Sequence, residues 1–197
     1  MTQLYFRYSE IYEYMLAQAA GEKLSDEEVK SGYVFADTYI KYWEQYNTPI
    51  FEYYKNLGFV TPDFWVAYFI HSRKRMTPFS DPLTLFIKEN LDELTAVLVH
   101  ELGHVMLSYG PNSALYQKLM YHLQKTYPNH DFGTNIEIMT ILLARWGLIK
   151  IFGEEKTEKL LAIEKTYPSL KKAWEVIDSQ PDVLNAKTSI DSIYALK

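Results

Sequence analysis

Residues 90–110 read NLDELTAVLVHELGHVMLSYG, and the architecture turns on this stretch. Asn90 is a helix cap, Glu93 three residues on completes it, and Gly110-Pro111 ends the run. Between these signals Leu91, Leu94, Val97, Leu98, Val99, Leu102, Val105, Met106 and Leu107 leave almost no polar face. A helix that is apolar nearly all round is central and buried. His100, Glu101 and His104 stand inside it, which is costly unless they are paired or bind a cation. Residues four apart on a helix lie one above the other, with β-carbons about 5–6 Å apart. His100 and His104 can therefore converge on one metal ion at about 2.0–2.1 Å each. Glu101 lies one step round the helix, beside that ion, where it can act as general base on a metal-bound water. Gly103 costs about 1 kcal/mol of helix propensity relative to Ala, which predicts a close backbone approach or room for a ligand. The bland reading of the same residues is a pair of hydrogen-bonded core histidines.

Working outward, the spacing of Tyr5, Tyr8, Ile11, Tyr12 and Met15 predicts an N-terminal helix stopped at Gly21. Ser25-Asp26-Glu27-Glu28 is a capping box that opens a long helix towards Tyr46, with Pro49 starting a continuation to Leu57. The Tyr and Phe stripe of that helix reads as core packing, with a ligand groove as the rival. Phe64 to Ile70 reads as a buried strand, and Leu83 to Ile87 as a second one. The polar segment between them carries Arg73-Lys74-Arg75, read as a solvated turn. Helices are expected over 113–126, from Thr134 or Asn135 to Phe152, over 155–166 and over 169–179, with a weakly specified tail after Pro181.

Composition removes several function classes. The 197 residues contain no Cys, so disulfides, thiol nucleophiles and Cys-based zinc sites are excluded. Any metal must be held by the 5 His and the 25 Asp and Glu. A net charge of −5 argues against a dedicated nucleic-acid binder. Arg7, Glu10 and Glu13 interrupt the N-terminus, against a signal peptide, and Arg145 and Lys150 interrupt the greasiest stretch, against a membrane span. The expectation is a cytoplasmic protein of one domain, with a helical layer over 1–60, a core over 61–152 and C-terminal helices over 153–197.

His100-Glu101-Leu102-Gly103-His104, with its capped apolar lead-in and preceding strand, resembles the zincin metallopeptidases. The resemblance covers about residues 64–145 in arrangement, and the five-residue motif carries most of it. Metzincins place a Gly and a third His where this chain has Leu107 and Gly110, so that group is excluded. The DNA-associated zincins bring a third His or a Cys ribbon, and this chain has neither. Gluzincins take the third ligand from a Glu on a downstream helix, and Glu137 fits that place. The resemblance implies an α+β, predominantly helical fold with a short sheet, a central HExxH helix and a downstream glutamate helix. It also implies one Zn²⁺ held by His100, His104 and Glu137, Glu101 as catalytic base, and a peptide or protein substrate laid along Leu83–Ile87.

Alternatives stand at several points. Glu137 can instead close a Thr134-x-x-Glu137 capping box, and His130, Asp131 and His122 are rival third ligands. Where many gluzincins have an acidic residue that steadies a zinc-bound His, this chain has Ile141, so Asn135, Thr140 or a carbonyl must serve. His130, Tyr127, Tyr109 and Tyr121 are candidate transition-state donors. The rival function is a catalytically inactive zinc-binding protein serving as a partner-binding or regulatory module, with the aromatic segment from Tyr33 to Phe59 contacting the partner or covering the cleft.

Overall fold

Leu4, Phe6 and Tyr8 are buried while Gln3, Tyr5 and Arg7 are exposed, which is the period of a strand. The computed structural model describes residues 2–73, 77–180, 182–183 and 186–196. It makes Gln3–Tyr8 strand β1 and confines the N-terminal helix, α1, to Glu10–Ala19. The expected single helix is therefore wrong at its start, because Ser9 accepts from the Tyr12 amide and begins the helix only there.

β2 (Phe64–Ile70) and β4 (Leu83–Phe86) fall where the sequence predicts, and a two-residue strand, β3 (Phe79–Ser80), is added. The sheet order is β1-β2-β4-β3, with β1, β2 and β4 parallel and β3 antiparallel. β4 is thus an inner strand at Leu83 and Thr84, and the edge expected there belongs to β3.

Helix α2 (Asp26–Asn56) opens with the predicted capping box and runs unbroken through Pro49. A helix-interior Pro costs about 3 kcal/mol, and burying each large side chain returns about 1.5–3 kcal/mol. Ile50, Phe51, Tyr53 and Tyr54, all buried just past Pro49, outweigh the lost hydrogen bond. The aromatic stripe is core: Phe6 stacks on Phe69 at 5.3 Å, and Tyr39 meets Phe69 edge-on at 5.1 Å.

The remaining helices are α3 (Leu91–Ser108), α4 (Ser113–Thr126), α5 (Phe132–Phe152), α6 (Glu154–Glu164), α7 (Lys171–Asp178) and α8 (Ser189–Ala195). α5 has no polar face because α2, α3, α4, α6, α7 and α8 all pack on it. α3 and α5 run antiparallel, and glycines let them approach closely. A β-carbon on Gly103 would meet Thr140 Cγ2 at 3.0 Å, and one on Gly147 would meet Val99 Cγ1 at 3.2 Å. The architecture is α+β and predominantly helical, as expected, and no helix among the described residues is long and apolar enough to cross a membrane.

The basic turn is corrected in part. Arg73 is buried, and its guanidinium reaches Glu13 and, at 2.9 Å, Glu28. Lys74 and Arg75 lie outside the described residues.

Candidate metal centre

On α3 the four-residue spacing brings the two imidazoles together, with His100 Nε2 3.2 Å from His104 Nε2. The antiparallel α5 supplies the third corner. Glu137 Oε2 lies 3.3 Å from His100 Nε2 and 3.4 Å from His104 Nε2. The three donor atoms form a triangle of nearly equal sides. A tetrahedral ion with bonds of about 2.0–2.1 Å separates its ligands by roughly 3.3–3.4 Å, so the triangle has the dimensions of one face of such a coordination shell. Glu137 Oε2 is buried and has no aligned hydrogen-bond donor, although both imidazole nitrogens are close to it. The three atoms are placed so that they could hold a metal ion.

The capping alternative for Glu137 fails. Asp131 caps α5, accepting from the Thr134 amide at 2.9 Å, so the helix starts earlier than predicted and Glu137 lies a full turn inside it. The rival ligands are elsewhere. His122 packs edge-on against Tyr194, and His130 stacks on Tyr127 at 4.9 Å. His130 and Asp131 border a separate hollow beside α7. Tyr109 packs on Trp65, Tyr121 is exposed, and neither borders the cleft around His100, as Tyr127 does not.

Two contacts lie behind the imidazoles, a hydrogen bond at His104 and, at His100, a close approach to a carboxylate without an aligned hydrogen bond. Thr140 Oγ1 is 3.2 Å from His104 Nδ1, one of the partners the sequence suggested. His100 Nδ1 lies 3.2 Å from Glu164 Oε1 on α6, which sequence reasoning missed. Glu164 is nevertheless on a readable stripe: Thr157, Leu160, Leu161 and Glu164 occupy the buried i, i+3, i+4, i+7 positions of α6. Asn135, also suggested, is buried but makes no hydrogen bond through its amide.

The electrostatics favour a cation. Burial opposes the imidazolium of His100, yet the charges of Glu164 and Glu137 outweigh it and push its pKa well above the usual histidine value. Burial also opposes ionisation of Glu137, but the His100 and His104 imidazoles close beside it hold its carboxyl at about 2. Burial raises Glu101, with the two histidines pulling in the other direction. A proton on His100 is one source of the positive charge that this trio calls for, and a divalent ion is another.

The centre lies in the floor of a cavity of about 720 Å³, with Glu101 beside it and Phe79, Ile87 and Val97 among its walls. A second group, Glu13, Glu28 and His71, also gathers donor atoms within 4.8 Å, but there the guanidinium of Arg73 supplies the positive charge. Comparison with protein-family models, with curated proteins and with solved structures gave no match for the chain.

Proposed function

We propose that the chain is a gluzincin-like zinc metallopeptidase that hydrolyses peptide bonds, with His100, His104 and Glu137 as ligands and Glu101 as general base. The observation that carries this is the donor triangle of His100, His104 and Glu137, with sides of 3.2, 3.3 and 3.4 Å. Zinc bound there would supply a Lewis acid for the scissile carbonyl and bring the pKa of a coordinated water down towards about 7.

The protein's own residues supply the rest. Glu101, one step round α3 from His100, takes the proton of the attacking water on its carboxylate and delivers it to the leaving amine nitrogen. Its burial supports this role, since it raises the carboxyl above its ordinary value and so makes it a better proton acceptor. Glu164 and Thr140 fix the two imidazole rings so that each presents Nε2 to the centre. β3 is the outermost strand but pairs with β4 only at Leu83 and Thr84, and Phe79, Ser80, Phe86 and Ile87 all line the cavity, so an extended peptide would pair along β3 or along the end of β4 beyond it.

The test compares zinc content and peptide cleavage in the wild type and two variants. Glu101→Gln abolishes cleavage and keeps zinc, whereas Glu137→Ala loses zinc. Equal cleavage by the Glu101 variant refutes the assigned base. Zinc binding by a wild type that cleaves no peptide leaves the inactive metal-binding module.

A further inference from the structure

Charge in the cavity is unevenly placed. Glu93, Glu101, Glu137 and Glu164 line it, and among the described residues Lys88 is the only lysine or arginine that does. Lys88 follows β4 on one wall, and its ammonium donates across the cavity to the Tyr167 hydroxyl, which follows α6 on the other wall, at 3.3 Å. An ammonium has three donors. Its nearest carboxylate, Glu93 Oε2, is 3.8 Å away, beyond hydrogen-bond length, and Glu93 also accepts from the Asn90 amide in the cap of α3. Lys88 therefore keeps donors without a protein acceptor. Tyr167, which accepts from Lys88, keeps its own hydroxyl proton to donate. Two donors, one of them charged, face a partly apolar cavity with Ile87, Val97 and Ile163 around it, where an anion is held more strongly than in open water.

The place of this pair along the cleft is fixed by α3. The donor triangle is level with the middle of His100–His104, and Glu93, beside Lys88, is nine residues nearer the helix start, about 13 Å along the axis at 1.5 Å per residue. An extended peptide covers that distance in three to four residues, at about 3.3–3.4 Å each. We propose that Lys88 and Tyr167 form a carboxylate-recognition subsite three to four residues from the scissile bond. The substrate class is then a peptide with either an acidic side chain or its C-terminal carboxylate at that distance. Release of a single C-terminal residue is disfavoured, because its carboxylate falls far short of Lys88. This inference rests on the peptidase reading.

The experiment uses the full-length zinc-loaded protein and matched peptides that carry Glu or Gln at successive positions, each as C-terminal acid and amide. Expected is a kcat/KM about tenfold higher for a carboxylate three or four residues from the cleaved bond, the worth of one charge-assisted hydrogen bond. The Glu and Gln arms report a side-chain source, and the acid and amide arms a terminal one. Lys88→Met brings the acidic-to-neutral ratio close to one, and Lys88→Glu inverts it in favour of lysine-bearing peptides. A wild type that cleaves with no such preference, or a ratio unmoved in Lys88→Met, overturns the subsite and leaves the peptidase. If no peptide is cleaved, the peptidase reading fails. Calorimetric binding of the same acid and amide peptides then decides the Lys88–Tyr167 pair separately, with equal affinity overturning it.

Discussion

Replacing Glu164 by Gln tests whether the centre is a metal site, and the size of the effect can be worked from distances. Glu164 Oε1 is 3.2 Å from His100 Nδ1, on the side of the ring away from the donor triangle. Adding the width of the imidazole and one bond to an ion places the carboxylate within about 7 Å of a dication. Even with the dielectric of water, a −1 charge at that distance from a +2 charge contributes roughly 1.2 kcal/mol, about eightfold in affinity. The side chain is buried, so the real screening is weaker. Partners behind a ligating histidine change metal affinity by about 10–100-fold. Glu164→Gln keeps the shape and an acceptor oxygen while removing the charge, so we expect a zinc dissociation constant raised about tenfold, and Glu164→Ala nearer the top of that range. Competition against a chromophoric chelator at neutral pH measures both. A dissociation constant within twofold of wild type in both variants refutes the reasoning, because it would mean that no cation is held at His100 Nε2.

The other expectations follow from neighbouring contacts. Thr140→Val removes a neutral hydrogen bond at His104 Nδ1, worth about 0.5–1.5 kcal/mol, so zinc affinity falls by a factor of about 2–10, less than for Glu164→Ala; an equal or larger loss contradicts the ranking. Gly103→Ala gains about 1 kcal/mol of helix propensity but drives a β-carbon to 3.0 Å from Thr140 Cγ2, an overpacking that costs about 1–3 kcal/mol, so the melting temperature of the zinc-free protein falls by a few degrees; a rise shows that α5 can yield there. Glu13 gives an acid limb of stability. Burial opposes its charge, but hydrogen bonds from His71 hold its carboxyl at about 2 against an ordinary 4.5. A depressed carboxyl stabilises above its unfolded value, so up to about 3 kcal/mol is fully present above pH 4.5 and is lost as pH falls to 2. Urea unfolding of wild type and Glu13→Gln across that window reads it, and parallel pH profiles would count against it. Arg73→Met strands Glu13 in a buried site and costs about 3–5 kcal/mol in the same assay, with a loss under 1 kcal/mol as the contrary result.

What the sequence made legible was whatever depends on one helix at a time. His100 and His104 sit on a single helix, so their convergence follows from the helical repeat alone. The capping box at Ser25 and the burial of α3 were readable for the same local reason. Leu4, Phe6 and Tyr8 defeated the local reading, because five of the six residues from Leu4 to Ser9 are aromatic, aliphatic or arginine and several periods fit them equally well. The parallel partner, Phe64–Ile70, chose the strand, and it lies far away in sequence. Pro49 reads as the start of a continuation, and not as the interior of one helix, when propensity is weighed without the side chains buried beyond it. Arg73 was read as solvated because its carboxylates, Glu13 and Glu28, come from two other helices.

The same distinction orders the residues of the centre. Glu137 stands out locally as the one carboxylate between Asp131 and Glu154 on an otherwise apolar helix, but only the gluzincin resemblance relates it to α3. In the structure its place depends on the α3–α5 crossing, which Gly103 and Gly147 allow to be close. Glu164 needed a third helix, yet its stripe carried a signal: a carboxylate on the core-facing positions of α6 must have a partner or a cation, because burying it unpaired is too costly. Any buried Glu on an apolar helical stripe therefore points to a cationic or imidazole partner elsewhere in the core. Glu13 on α1 obeys the same rule with Arg73 and His71, where the partners are part of the chain. Glu137 and Glu164 differ in that the nearby groups are imidazoles, which can act as metal ligands, whereas a guanidinium cannot. That difference is why we propose the α3–α5–α6 cluster, and not the Arg73 clasp, as the cation site.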